Sequence, residues 1–173
     1  MADGITIKFE DAEVESMIKK LLRRVQNPKK LMLQVQKYVH AVTMQMLGSK
    51  QKRADVGGRR GQVWEKLKPK TIQQKANLYK LGKAIEIHRP LVRTGAARDS
   101  LKVLESQAKG FTYGTDIKSK TGFPYMGVHQ KGDAKNPQRK SIFLNNHDLR
   151  QVVKMTVDYL KGVGIKYKGY LKK

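Results

Sequence analysis

Two runs of apolar residues at helical spacing stand back to back, split by Asn27-Pro28, and this break most limits how the chain can fold. Val14, Met17, Ile18, Leu21, Leu22 and Val25 fall on one stripe of a helix. Leu31, Val35, Tyr38, Val39, Val42 and Met46 form a second stripe that ends near Gly48. The residue before a proline is pushed out of the α region, so one long helix is excluded. Two helices are expected instead, laid as an antiparallel hairpin on a sheet. The methionines read as core filler, since their flexible thioethers fill irregular gaps. Glu10, Asp11, Glu13 and Glu15 crowd the start of the first helix, where carboxylates suit its positive end.

The sheet signals are shorter. Ile5, Ile7 and Phe9 alternate with polar residues, as a strand does. Leu101, Val103 and Leu104 suggest a second strand; Phe111, Tyr113 and Thr115 suggest a third, with Ala108-Lys109-Gly110 as the hairpin turn between these two. Pro124 to Val128 reads as a further edge segment. A third helix is expected over Thr71 to Leu81, with Pro69 near its start and Gly82 just past its end. Lys83 to Pro90 is an irregular connection, and Arg93-Thr94-Gly95 opens a short helical turn. A last helix carries Leu149, Val152, Val153, Thr156, Val157 and Leu160 on one face. Asn146 is its expected cap and Gly162 its stop. These signals predict a single α+β domain over residues 1–173, with helices packed on a small antiparallel sheet and long basic loops.

The loops hold much of the charge. The chain has 37 Lys and Arg against 14 Asp and Glu, a formal net charge of +23. Self-repulsion of that size works against a compact monomer and favours a polyanionic partner, with nucleic acid the obvious one. Lys50, Lys52, Arg53, Arg59 and Arg60 sit among Gly57, Gly58 and Gly61 in the 48–62 loop. Glycine raises the entropy cost of order and like charges repel, so a mobile arm is expected, ordering against DNA or a neighbouring subunit. Gln130 to Lys140 reads as a second exposed loop. The tail at 166–173 interleaves Lys166, Lys168, Lys172 and Lys173 with Tyr167 and Tyr170.

Several chemistries find no support. There are no cysteines, which removes disulfides, thiolate metal sites and cysteine nucleophiles. No run approaches the roughly 18 apolar residues of a membrane span, so no membrane contact is expected. Met1-Ala2-Asp3-Gly4 does not start like a signal peptide. His40, His88, His129 and His147 are widely spaced and form no zinc-binding pair. Neither a phosphate-binding glycine loop ending in Gly-Lys-Ser/Thr nor a Gly-x-Ser-x-Gly elbow is present. No catalytic residue, metal ligand or cofactor site is assigned, and the chain reads as a non-enzyme.

Between Trp64 and Leu144 runs an ordered string of small motifs. It comprises Trp64-Glu65-Lys66-Leu67, Thr71 with Lys75, Leu91-Val92-Arg93-Thr94-Gly95, Tyr113-Gly114-Thr115, Tyr125, His129-Gln130-Lys131-Gly132, Pro137-Gln138-Arg139 and Phe143-Leu144. Trp64, the only tryptophan, is suited to anchoring a loop by burying a large apolar area. Thr94-Gly95 suits a helix cap or tight turn. Arg139, in a loop after Pro137, has the forked donors to clamp a carbonyl or carboxylate.

In order and spacing the string resembles the phage virion morphogenesis family, the tail-completion or neck proteins of tailed phages and Mu-like prophages. The resemblance covers about half the chain. It departs from the family pattern by extra residues from Lys83 to Arg89 and by the long basic loop. It implies a structural protein of the head–tail junction in the virion, forming a homo-oligomeric ring around the DNA channel. A hexamer is favoured and a dodecamer is the alternative. The implied partners are other neck, portal-side and tail proteins, with genomic DNA contacted non-specifically. Trp64, Thr94, Gly95, His129, Gly132, Pro137 and Arg139 would then hold the fold and the ring contacts. The competing expectation is a non-viral protein that binds nucleic acid without regard to sequence.

Overall fold

The computed structural model describes residues 12–47, 64–84, 87–88, 90–91 and 94–164. The expected strand at Ile5 to Phe9, the basic loop at 48–62 and the tail at 166–173 lie outside them. Among the described residues the fold is α+β: six helices and a two-stranded antiparallel hairpin.

α1 (Ala12–Gln26) and α2 (Lys29–Leu47) break at Asn27-Pro28 as the proline requires. α2 is the central element. Leu31, Val35, Tyr38, Val39 and Val42 recur at helical spacing and are buried together with Met155 of the last helix. Each such side chain contributes roughly 1.5–3 kcal/mol when fully buried. Thr43, buried mid-helix, satisfies its hydroxyl by donating to the carbonyl oxygen of Val39 at 2.8 Å.

β1 (Lys102–Gln107) and β2 (Gly110–Gly114) form the expected hairpin across Ala108-Lys109. Val103 faces Tyr113, but Glu105 faces Thr112, so Leu104 is an extra residue that bulges β1. β2 lies on α2, with Phe111 and Tyr113 packed against the α2 core. A second buried cluster holds Leu47, Trp64 and Leu101, and Tyr113 touches this one too. Burial pushes the Tyr113 phenol up to about 12. Its hydroxyl meets His40 Nδ1 at 2.8 Å.

The last helix, α6 (Asn146–Lys161), completes the core. Its cap is Asn145, not the expected Asn146. Asp148 N donates to Asn145 Oδ1 at 2.9 Å, and Asn145 N donates to Asp148 Oδ2 at 3.2 Å, a closed capping box. Asn145 is the residue three before Asp148, so it alone can close that box. The other oxygen of Asp148 accepts from the buried Tyr38 hydroxyl at 2.9 Å, which ties the start of α6 to the middle of α2.

Two expectations are corrected here. The helix hairpin packed on a sheet is found only in part: α2 lies on β2 and against α6, whereas α1 packs against α6. α1 is held at its C-terminal end, where Arg24 Nη1 donates to the carbonyl oxygen of Leu160 at 2.8 Å and the Tyr159 hydroxyl donates to that of Asn27 at 2.6 Å. None of its residues is buried. The second correction concerns Pro124 to Val128. The chain there is helical, α5 (Tyr125–Lys131), rather than a sheet edge. Pro124 sits at its N-cap, where a missing N–H costs nothing, and Gly132 ends it at φ +77.

Candidate functional site: a cationic cleft built by the motif string

The pieces of the motif string, scattered through the sequence, converge. α3 (Pro69–Lys80) begins at Pro69 and carries Thr71, Lys75 and Leu78 on one face. Opposite it, Gly95 at φ +85 turns the chain into α4 (Ala96–Asp99). The Thr94 hydroxyl accepts weakly from Ala96 N at 3.4 Å, so the expected cap is a turn in which glycine, not threonine, supplies the conformation. α5 adds Tyr125 and His129, and the loop after it adds Pro137 and Arg139. Between these elements lies a cleft of about 810 Å³.

Hydrogen bonds fix its back wall. Arg139 is buried, and its Nε and Nη2 donate to the carbonyl oxygen of Glu65 at 3.3 and 3.0 Å. Its backbone N donates to the carbonyl oxygen of His129 at 2.7 Å. Gln130 acts as a second clasp. Its Oε1 accepts from Ser141 N at 2.9 Å, Ser141 Oγ at 3.2 Å and Ile142 N at 3.2 Å, while Nε2 donates to the Ile142 carbonyl at 2.7 Å. A Cβ at Gly132 would lie 3.1 Å from both Cβ and N of Gln138, so only glycine lets the loop close this tightly. Asp133 folds the loop tip by accepting from Lys135 N at 2.8 Å and Asn136 N at 2.6 Å. The stretch read from sequence as an exposed loop is therefore a loop, but one pinned at both ends.

Trp64 lies beneath the cleft, 1% exposed, against Leu47 and Leu101. It anchors the segment whose next residue Arg139 grips. Its Nε1 has no hydrogen-bond partner among the described residues, and neither has Nδ1 of His129. Burial, and then the nearby Arg139 charge, hold the His129 imidazole below its usual range, against an opposing pull from Asp133.

The electrostatics are one-sided. Seven Lys and Arg side chains line the cleft against one carboxylate, Glu65, so it favours an anionic ligand. Lys66, Lys68, Lys118, Lys120 and Lys135 stand exposed around the rim, while Lys75 lies buried along the wall. Leu67, Leu78, Leu91 and Ile117 supply apolar surface between them. Such a cleft suits an acidic peptide segment or a single exposed phosphate. A duplex does not fit inside it. Among the described residues no group of three or more His, Cys, Asp or Glu is placed to hold a metal ion. No described helix is long and apolar enough to cross a membrane.

Of the residues singled out from sequence, Thr94, Gly95, His129, Pro137 and Arg139 line this one cleft. Trp64 and Gly132 support it from behind. Lys50, Lys52, Arg53, Arg59 and Arg60 lie outside the described residues. Of the rim lysines, Lys68, Lys118, Lys120 and Lys135 are not among the residues the sequence reading selects, and Lys66 enters it only inside the Trp64 motif. Their signal is the i, i+2 spacing of Lys66 with Lys68 and of Lys118 with Lys120, which in extended chain puts both on one side. Set against family models, curated proteins and solved structures, the chain matches none.

Proposed function

We propose that this chain is a structural subunit of the phage head–tail junction, acting in tail completion or as a neck connector. It works as a closed ring around the DNA channel, of six copies by preference and twelve as the alternative. Its neighbours are portal-side and tail proteins, and its place is the virion. No catalytic role is proposed.

One observation carries this reading. Most of the motifs that resemble the tail-completion family, dispersed from Trp64 to Arg139, line or support a single cleft through contacts such as Arg139 to Glu65, while Tyr113 and Leu144 pack on the α2 core. The charge supports it as well. A ring brings several copies of a +23 chain around one polyanion, which offsets their repulsion through phosphate contacts that carry no base information. The cleft then offers each neighbour an acidic-peptide socket.

The test is the native mass of the purified chain together with electron-microscopic images. A closed ring with a central hole wide enough for duplex DNA is the expected result. A monomer that binds duplex tightly and never closes would replace this reading with that of a sequence-independent nucleic-acid-binding protein.

A further inference from the structure

α1 is amphipathic and packs against α6, yet the described residues leave its apolar stripe uncovered. Met17, Ile18, Leu21, Leu22 and Val25 are all exposed, Met17 to 64%. A 15-residue helix is marginal in water when nothing packs on it. α6 shows the matching feature. Its inner face is in the core, but Leu149, Val153 and Val157 form an outer apolar stripe, with Val153 62% exposed. That stripe lines a shallow groove whose polar edge is Asn146, Arg150 and Lys154. Because the stripe stays exposed, α1 does not lie along it within its own chain. The bond of Arg24 to the Leu160 carbonyl tethers the C-terminal end of α1.

We propose that α1 of one copy docks into the α6 groove of a second copy. The geometry of the two stripes agrees. Val14, Ile18 and Leu22 recur every four residues, as do Leu149, Val153 and Val157. The charges agree too, in one direction. α1 is acidic in its first turn, at Glu13 and Glu15, and basic in its last, at Arg23 and Arg24. α6 offers Arg150 and Lys154 early and Asp158 late. With Ile18 set on Val153, a parallel arrangement puts Glu15 beside Arg150 and Arg23 beside Asp158, while Lys19, which falls next to Lys154, is ion-paired with Glu15. The reverse arrangement sets Arg23 against Arg150 and Glu15 against Asp158, like on like. Both halves of the match are on one chain, so any two copies can form it. At physiological salt the long-range repulsion of the remaining positive charge is screened beyond roughly 8 Å, whereas the apolar contact is not.

The contact is head-to-tail, and repeated with closure it makes a ring. Closure rests on the proposed ring function; the pairing rests on the two helix faces alone. The chain has no cysteine, so introduced thiols report without background. Ile18→Cys and Val153→Cys are made separately, one with a mass tag, then mixed and oxidised as full-length proteins. The expected product is a mixed disulfide that joins the Ile18→Cys protein to the Val153→Cys protein. Leu22→Glu should weaken self-association by about tenfold or more in sedimentation, while Tyr79→Glu on α3 leaves it unchanged. Self-association should hold or strengthen as salt rises. A ring that assembles with no mixed disulfide overturns the pairing and leaves the ring reading standing. A mixed disulfide in a species that never closes keeps the pairing and removes the ring. A protein that is monomeric at all concentrations, or that yields mainly dimers of the Ile18→Cys protein with itself, overturns the pairing.

Discussion

Arg139 forks Nε and Nη2 onto the carbonyl oxygen of Glu65 across 74 residues of chain, at 3.3 and 3.0 Å. Its own backbone N binds the carbonyl oxygen of His129 at 2.7 Å. One residue thus joins the Trp64, His129 and Pro137 motifs of the string. A guanidinium suits the task because its planar donors can share one acceptor while its charge stays fixed.

Arg139→Ala should lower unfolding free energy by about 2–3 kcal/mol, since it strands a carbonyl and empties a buried site. Arg139→Lys keeps the charge but not the fork, and should recover only part of the loss. Urea unfolding of the three proteins checks this. Equal stability of the lysine variant and the unchanged chain would show that the charge alone matters.

His129 makes stability depend on pH, with a definite sign. Its folded-state value lies below 6.5, because burial and Arg139 disfavour the imidazolium. On acidification the unfolded chain therefore binds the proton first, and stability falls. The contribution is complete above pH 6.5 and fades as pH drops from there towards the folded value. His129→Gln should flatten that part of the profile in urea melts above and below pH 6.5. A short acidic peptide bound in the cleft should raise the His129 value in an NMR titration, because a nearby negative charge favours the imidazolium. No change on peptide addition would place the anion elsewhere.

Much of this architecture is legible in the sequence, and the gaps have physical causes. The stripes on α2, α3 and α6 carry a clear helical period, and Gly110 marks the β1–β2 turn, so the expected elements match those in the fold. α5 escapes because it spans only Tyr125–Lys131 and holds Gly127, too short for a stripe to repeat. The break at Asn27-Pro28 is local and plain. What α1 packs against is tertiary, and its stripe alone does not name α6. The grip of Arg139 on a carbonyl is within reach, because Pro137 and the forked donors advertise it. The cationic cleft is not, because its lysines come from separate stretches of chain that meet only in the fold. The basic loop holding Lys50 to Arg60 stays an expectation, since it lies outside the described residues.

Gly162 closes α6 at φ +75, a conformation that side chains resist. A Cβ there would also collide with the Arg24 guanidinium, the group that tethers α1. Gly162→Ala should cost about 1–2 kcal/mol from backbone strain and should also loosen α1. Hydrogen exchange across residues 12–26 should quicken, while α2 remains protected. In an Arg24→Ala background the collision is gone, so the same glycine change should keep its backbone cost but add nothing to α1 exchange. Equal effects in both backgrounds would show that α1 is held by something other than the Arg24 tether.

The last prediction separates DNA contact from protein contact. Each Lys or Arg seated on a phosphate releases counterions, so duplex affinity should fall with salt at a log–log slope of about −0.9 per contact. Changing Lys50, Lys52, Arg53, Arg59 and Arg60 to Gln should make that slope shallower by about 0.9 for each of the five that touches a phosphate. Changing the rim set, Lys118, Lys120 and Lys135, should leave the slope nearly intact and weaken binding of an acidic peptide instead, because the cleft does not admit a duplex. Neither set should alter preference between DNA sequences, since phosphate contacts carry no base information. Filter binding across a salt series, with peptide titration on the same variants, reads both. If the loop variant keeps its slope but loses self-association, the loop faces a neighbouring subunit. If the rim variant loses its slope, the DNA path runs over the cleft, and the peptide-socket assignment falls.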